Sequence, residues 1–345
     1  MHRISLLKTV CSLCLMAMSW LPMVAQDTSI IGDVNNDGVA SIKDVTALID
    51  YLLSTDGTSV NRWAADVNMD GSITIADVSA LVNCLLTGEW PVAYEPEYKT
   101  ITVGSGTSAV TFRMLLVEGG TFTMGAREGD PYVRPWESPA HQVTLSDYYI
   151  AEFEVTQALW RAVMGTSSYN NPSWFTSENG YETNYQRPAE SMIYSQVTSF
   201  ITKLNQKTGM TFRLPTEAEW EFAARGGKWS RGYMYIGGDD VYEVAWQSDN
   251  SNGTVYPVGT KAPNELGLYD MGGNVEEWCS DWYGPYSESP QVNPTGVSSS
   301  STNSRVMRGG SWDQSYRMCR PTQRHDANVA FKSAHTGMRL AMTKQ

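Results

Sequence analysis

Two stretches in the N-terminal part of the chain share one spacing of apolar residues. Val45, Leu48, Ile49 and Leu52 fall at i, i+3, i+4 and i+7, and Val78, Leu81, Val82 and Leu85 repeat that spacing 33 residues later. The period predicts two one-sided helices able to bury each other. Farther along, VTFRMLLVEGGTFTMG (110–125) alternates as strands do and turns at Gly119-Gly120. HQVTLSDYYIAEFEVTQALW (141–160) predicts strands leading into a helix capped by Thr156. In SQVTSFITKLNQKTG (195–209), Val197, Phe200, Ile201 and Leu204 share one helical face, which Gly209 terminates. RLPTEAEWEFAARGG (213–227) predicts another helix: Thr216 and Glu219 form a capping box, Pro215 blocks backward extension, and Gly226 stops it. Between the two regions, residues 89–109 carry Pro, then Gly and Ser, and read as a linker or an opening strand.

The polar residues ahead of the first two helices change the picture. A twelve-residue calcium loop places oxygen ligands at positions 1, 3, 5, 7, 9 and 12, with glycine at 6 for the sharp turn. Counting from Asp33 gives Asp33, Asn35, Asp37, the Val39 carbonyl, Ser41 and Asp44, with Gly38 at the turn. Counting from Asp66 gives Asp66, Asn68, Asp70, the Ser72 carbonyl, Thr74 and Asp77, with Gly71 at the turn. Asp stands at position 12 in both, where calcium hands usually carry Glu. No helical pattern precedes the first loop, so these are not full EF-hands. Duplicated loop-helix units of this kind resemble the type I dockerin module over residues 31–88. That resemblance implies a small all-α calcium module and a cohesin-like partner, although a unit of this size could also serve as a spacer.

Length and charge then set limits. A chain of 345 residues is long for one domain and predicts two folded units. A net charge of −12 excludes a nucleic-acid partner, which needs clustered Lys and Arg, and suits cation binding. Residues 1–25 have the form of an export signal: Arg3 and Lys8, an apolar run over 9–21 too short for a bilayer span, and a small residue, Ala25, at the cut. The expectation is a secreted, periplasmic or cell-surface protein with no transmembrane segment in the mature chain.

Chemistry enters with four motifs in fixed order: RLPTEAEWEFAARGG, GLYDMGGNVEEWCSDWYG (267–284), RVMRGGSW (305–312) and GMRLA (337–341). Residues 110–345 thereby resemble the formylglycine-generating enzymes, or sulfatase-modifying factors. The resemblance implies an α+β fold, a variant of the C-type lectin fold with little regular structure. It also implies a calcium ion held by Asp270, the Gly273 and Val275 carbonyls, and Glu277. Catalysis does not carry over. Active members hold copper(I) between two cysteines spaced C-x4-C after GGSW or GGSY, because soft thiolates favour that ion. Here a forward count from Trp312 puts Cys319 at the first cysteine and Arg324 at the second, while a backward count from GMR gives Tyr316 and Pro321. Neither yields a dithiol, so copper is not expected.

Other chemistries have less behind them. The histidines are His2, His141, His325 and His335, with no pair at a ligand spacing, and nothing marks Ser311 and His325 as nucleophile and base. Two functional classes remain: a noncatalytic module presenting a lectin-like face to a glycan or peptide, or an enzyme of sulfatase maturation or polysaccharide breakdown with an unrecognised site. Export permits disulfides, and Cys279 and Cys319 are the only cysteines of the larger domain. Their segments should meet in one core of this fold, which leads to an expected Cys279–Cys319 bridge.

Overall fold

The computed structural model describes residues 31–54, 60–68, 73–90, 96–167 and 171–344. The chain divides into two compact units, Met1–Val92 and Ala93–Gln345. In the first, α1 (Ile42–Leu53) packs against α3 (Ile75–Thr87), with the short α2 (Arg62–Ala65) between them in sequence. Val45, Leu48, Val78 and Leu81 are buried together with Val34, Ala65 and Val67, whereas Ile49 sits at the solvent edge. Both long helices begin with capping boxes, Ser41 with Asp44 and Thr74 with Asp77. Positions 9 and 12 of each loop are thus also the cap and third residue of the helix that follows. Asp70 and Ser72 lie outside the described residues.

The second unit is α+β. Its strands are β1 (Tyr98–Val103), β2 (Val110–Val117), β3 (Thr121–Met124), β4 (His141–Thr144), β5 (Tyr148–Ala151), β6 (Glu276–Trp282), β7 (Gln291–Val292), β8 (Ser304–Arg308), β9 (Arg324–Asn328), β10 (Thr336–Gly337) and β11 (Ala341–Thr343). They form sheets of order β1-β2-β5-β11, β10-β6-β8-β9 and β3-β4-β7. The helices that matter for the site are α4 (Gln157–Met164), α5 (Tyr194–Thr208), α6 (Glu217–Ala224) and the short α7 (Val241–Val244).

The first sheet is covered on both faces. Ile101, Met114, Leu116 and Tyr149 pack with Leu159 and Trp160 of α4 and Val197, Phe200 and Leu204 of α5. Trp160 stacks on Phe200 with ring centroids 5.0 Å apart. Leu115, Val117, Tyr148 and Ile150 pack on the opposite side with Ala218, Trp220 and Phe222 of α6. This alternation is the period-two pattern read from β2.

One boundary shifts. β1 pairs along its whole length with β2, from Tyr98↔Leu115 to Val103↔Val110. The segment 89–109 is therefore not a linker throughout, and the larger unit begins upstream of Val110. Burial of Ile101 and Val103 against α4 and α5 makes 98–103 a strand despite the Gly and Ser that follow it.

Candidate functional site

The segment after GGSW leaves β8 through Gly309 and Gly310, both at positive φ (+99° and +71°). A Cβ on Gly309 would lie 2.9 Å from the Met271 carbonyl, and one on Gly310 would lie 2.9 Å from the backbone of Met318. Glycine is required here because the chain folds back onto the 3-10 turn Tyr316–Cys319. Ser311 is buried, and its hydroxyl donates to Asp313 Oδ1 at 2.7 Å rather than to a histidine. Trp312 Nε1 donates to the Ala334 carbonyl, and its ring meets Phe175 edge-on.

Arginines fasten the rest of the segment to the core. Arg320 pairs with Asp130 and with Glu137 at 2.8 Å, and Arg324 grips Glu217 through two hydrogen bonds of 2.6 and 2.8 Å. Arg308 reaches Glu221 at 2.7 Å and Glu217 at 2.9 Å. All three guanidiniums are buried, and pairing with carboxylates is what makes such burial tolerable. The sequence reads 213–227 as a well-capped helix and a family motif, without a role for its individual glutamates. The missed signal was Glu217, Glu219 and Glu221 on successive sides of a helix whose every residue is buried.

Cys319 and Cys279 are free thiols, so the expected bridge does not form. The physical reason is that they belong to different apolar clusters. Cys319 packs with Val241, Val244 and Ala245 around α7, whereas Cys279 on β6 packs with Leu115, Ile150 and Trp220. Burial pushes the Cys319 thiol up to about 12 and the Cys279 thiol well above its ordinary value. Burial therefore keeps both sulfurs as thiols near neutrality.

What the segment shows to solvent is aromatic and cationic. Tyr316 lies 5.8 Å from Tyr132 and 6.4 Å from Tyr235, centroid to centroid, and the exposed Arg317 sits over the Tyr132 ring at 5.0 Å. Beside them, Arg127, Tyr233, Tyr235 and Pro321 line a small cavity of about 40 Å³. A larger one of about 170 Å³ opens elsewhere, between Asp281, Trp282, His141, Tyr286 and Arg324.

The residues expected to hold calcium in this unit, Asp270, Gly273, Val275 and Glu277, sit among other buried partners. Glu277 accepts from Arg339 Nε at 2.9 and 3.1 Å and from Trp220 Nε1 at 2.7 Å. A cation at that carboxylate would face a guanidinium already seated on both oxygens. Asp270, at φ +55°, accepts the Gly259 N–H at 2.7 Å, and burial raises its carboxyl to about 6. Glu154, beside both, is raised well above its usual range by burial and then by these two neighbours. Gly273 is held by its N–H to the Gly309 carbonyl, and the Val275 N–H donates to Glu154. Glu277 is thus ion-paired with Arg339, while Glu154, Asp270 and Glu277 gather buried negative charge beside the Gly273 and Val275 backbone.

The N-terminal loop behaves differently. Ligand oxygens of Asp33, Asp37 and Asp44 lie within 4.8 Å of one another, the one such acidic, His or Cys group of three or more among the described residues. Asp33 accepts the N–H groups of Asp37 and Gly38, Asn35 Oδ1 accepts the Asp37 N–H, and Asp44 accepts from Asn35 and Ser41. Asn36 and Gly38 take positive φ to make the turn. The second loop repeats the closing contacts, with Asp77 accepting from Asn68 at 3.1 Å and from Thr74 at 2.8 Å. Hard carboxylate oxygens converging on one point fit a calcium ion.

Comparison with known proteins agrees with both units. The sulfatase-modifying factor enzyme 1-like domain profile matches residues 103–344, and the dockerin type I domain profile matches residues 31–86. The chain is 31% identical over 259 residues to the chaperone protein LppX of Paenibacillus barcinonensis, covering 60% of this chain and 81% of that one. It is 29% identical over 268 residues to the formylglycine-generating enzyme of Streptomyces coelicolor, covering 63% and 82%. Among solved structures, Treponema denticola variable protein 1 superimposes with a TM-score of 0.63 at 32% identity, over 72% of this chain and all of that one. The chain therefore belongs to the sulfatase-modifying factor enzyme 1-like family and carries a type I dockerin module ahead of that domain.

Proposed function

We propose that the larger unit is a noncatalytic binding module for an anionic glycan, exported from the cytosol and tethered through a calcium-loaded dockerin module to a cohesin-like partner. The observation that carries the reading is Cys319. It is the single cysteine of the segment where copper-dependent relatives need two, and it is buried with its proton held to about 12. Around it, Arg320 and Arg324 are spent on internal carboxylates, which makes the segment a scaffold. The outer face it supports, Tyr132, Tyr235 and Tyr316, offers aromatic surface beside the exposed guanidinium of Arg317, which stacks on Tyr132. Aromatic platforms stack on sugar rings, and a guanidinium recognises sulfate or carboxylate groups. A peptide ligand is the competing outcome.

In the first unit, Asp33, Asn35, Asp37, Ser41 and Asp44, with the Val39 carbonyl, would hold one ion, and the loop from Asp66 a second. Bound calcium would screen the carboxylates and lock each loop onto the helix it caps. The test is direct. The protein is passed over immobilised sulfated and desulfated polysaccharide, and separately incubated with copper(I) and a peptide containing Cys-x-Pro-x-Arg. Retention on the sulfated matrix, reduced about tenfold by Arg317→Ala, supports the reading. Conversion of the peptide cysteine, or equal retention on both matrices, overturns it.

A further inference from the structure

The cavity of about 170 Å³ holds an acid that no basic group answers. Met124, Trp282, Pro285 and Tyr286 supply apolar and aromatic wall, and Asp281, buried on β6, lies among them. Its Oδ2 accepts the Glu217 N–H at 3.1 Å and the Ser280 hydroxyl at 2.9 Å. Oδ1 has no donor, and the carboxyl belongs to no ion pair among the described residues. Gly296 takes a positive φ, and a Cβ there would lie 3.1 Å from Oδ1. The missing side chain leaves room beside this oxygen.

The neighbouring charges are already matched. Arg324 directs its donors to Glu217 and to the Trp136 and Gly284 carbonyls, and Glu217 takes Arg308 as well. Arg305 stacks on Trp282 and donates to the Ser280 carbonyl rather than to Asp281. One further group of the lining has an atom to spare. His141 lies 5.0 Å from the Tyr286 ring, centroid to centroid, and its Nδ1 is 3.1 Å from the Pro139 carbonyl. A carbonyl only accepts, so Nδ1 carries the proton and Nε2 presents a lone pair that no described residue meets.

These features select a ligand by its chemistry. An anion would meet two acids and an arginine already committed to one of them. A metal ion would find one carboxylate oxygen and one imidazole, fewer than the three protein ligands of an open zinc site. An apolar molecule would leave the buried acid without a partner, an expensive condition. A primary ammonium supplies both N–H donors and positive charge, while its stem lies along the apolar wall. We infer that this cavity binds a small primary ammonium ion on a short apolar stem, with Asp281 as its counter-ion and His141 as a second acceptor. A cavity of about 150 Å³ takes a benzene ring, so this one has room for a stem of about four or five carbons. A free alkylamine and a lysine side chain share that chemistry. None of the lining residues belongs to the face of Tyr132, Tyr235, Tyr316 and Arg317, so the inference does not rest on glycan binding.

The test is calorimetric titration of the calcium-loaded full-length chain with n-butylammonium, n-butanol and Nα-acetyl-lysine amide, at pH 8 in amine-free buffer. That pH lies above the value of about 7 to which burial and then Glu217 raise the Asp281 carboxyl, so the acid is ionised. Butylammonium should bind saturably with a Kd on the order of 1 mM, within reach of a ligand of about five heavy atoms. Butanol, of the same shape without the charge, should bind about tenfold more weakly or worse. Asp281→Asn should lose about tenfold or more in affinity for butylammonium, with a thermal midpoint showing that the variant is folded. Binding of the lysine amide with the same dependence on Asp281 assigns the site to a side chain, and its exclusion while butylammonium binds assigns it to a free amine. Absence of saturable butylammonium binding by the wild type overturns the proposal. So does equal affinity for butylammonium and butanol, or affinity unchanged in folded Asp281→Asn.

Discussion

Asp281→Asn is the sharpest energetic test of the buried charge system. The Asp281 carboxyl is buried at the edge of the 170 Å³ cavity, accepting the Glu217 N–H at 3.1 Å and the Ser280 hydroxyl at 2.9 Å. Burial, and then the negative charge of Glu217, raise it from 3.8 to about 7, and these two hydrogen bonds only partly offset that. Between those values the folded chain binds more protons than the unfolded one. Stability from this group is therefore lost as pH rises from about 4 to about 7. The full displacement corresponds to about 4 kcal/mol, an upper bound because water entering the cavity softens the penalty. Asparagine keeps an acceptor for both donors and never ionises. The variant should match the wild type within about 1 kcal/mol at pH 4.5 and exceed it by about 2–4 kcal/mol at pH 8. Urea unfolding of the larger unit, followed by near-ultraviolet circular dichroism at the two pH values, measures the difference. A gain that does not grow with pH, or a variant less stable than wild type at pH 8, would refute the assignment of an unpaired buried carboxyl.

Glu277→Ala should cost about 3–5 kcal/mol by leaving Arg339 buried against backbone carbonyls alone. The thermal midpoint should fall equally in calcium and in chelator; a loss confined to calcium would restore a metal role for Glu277. Calcium titration of the whole chain should raise helical circular dichroism, and Asp37→Ala should remove about one binding equivalent, as one ion per loop requires. An unchanged stoichiometry in that variant would dismiss the loop at Asp33. Alkylation of the unfolded, nonreduced chain should label both Cys279 and Cys319, while the folded chain should leave both unlabelled because they are buried. Protection of the pair after unfolding would reinstate the disulfide.

Local physics made much of this protein legible in its sequence. Helix α5 reads from Val197, Phe200 and Leu204 to the left-handed Gly209, and α6 from the Thr216–Glu219 box, because capping and periodicity act within a few residues. The first calcium loop is equally local: its three converging carboxylates lie within twelve positions, and the glycine turn between them is written in the chain. Four motifs in order were enough to identify the family. Long-range partners were another matter. The pairing of Glu277 with Arg339, 62 positions away, was not legible from the sequence. Sequence joined Cys279 to Cys319 because both segments enter one domain, but a disulfide needs Cβ atoms within bonding reach, and separate clusters hold these two. His335 comes to lie beside Glu276, about sixty positions earlier, because β10 pairs in parallel with β6. Periodicity and caps report a residue's own neighbours along the chain; which buried charge answers which is set by strand order, and strand order leaves no mark at either residue.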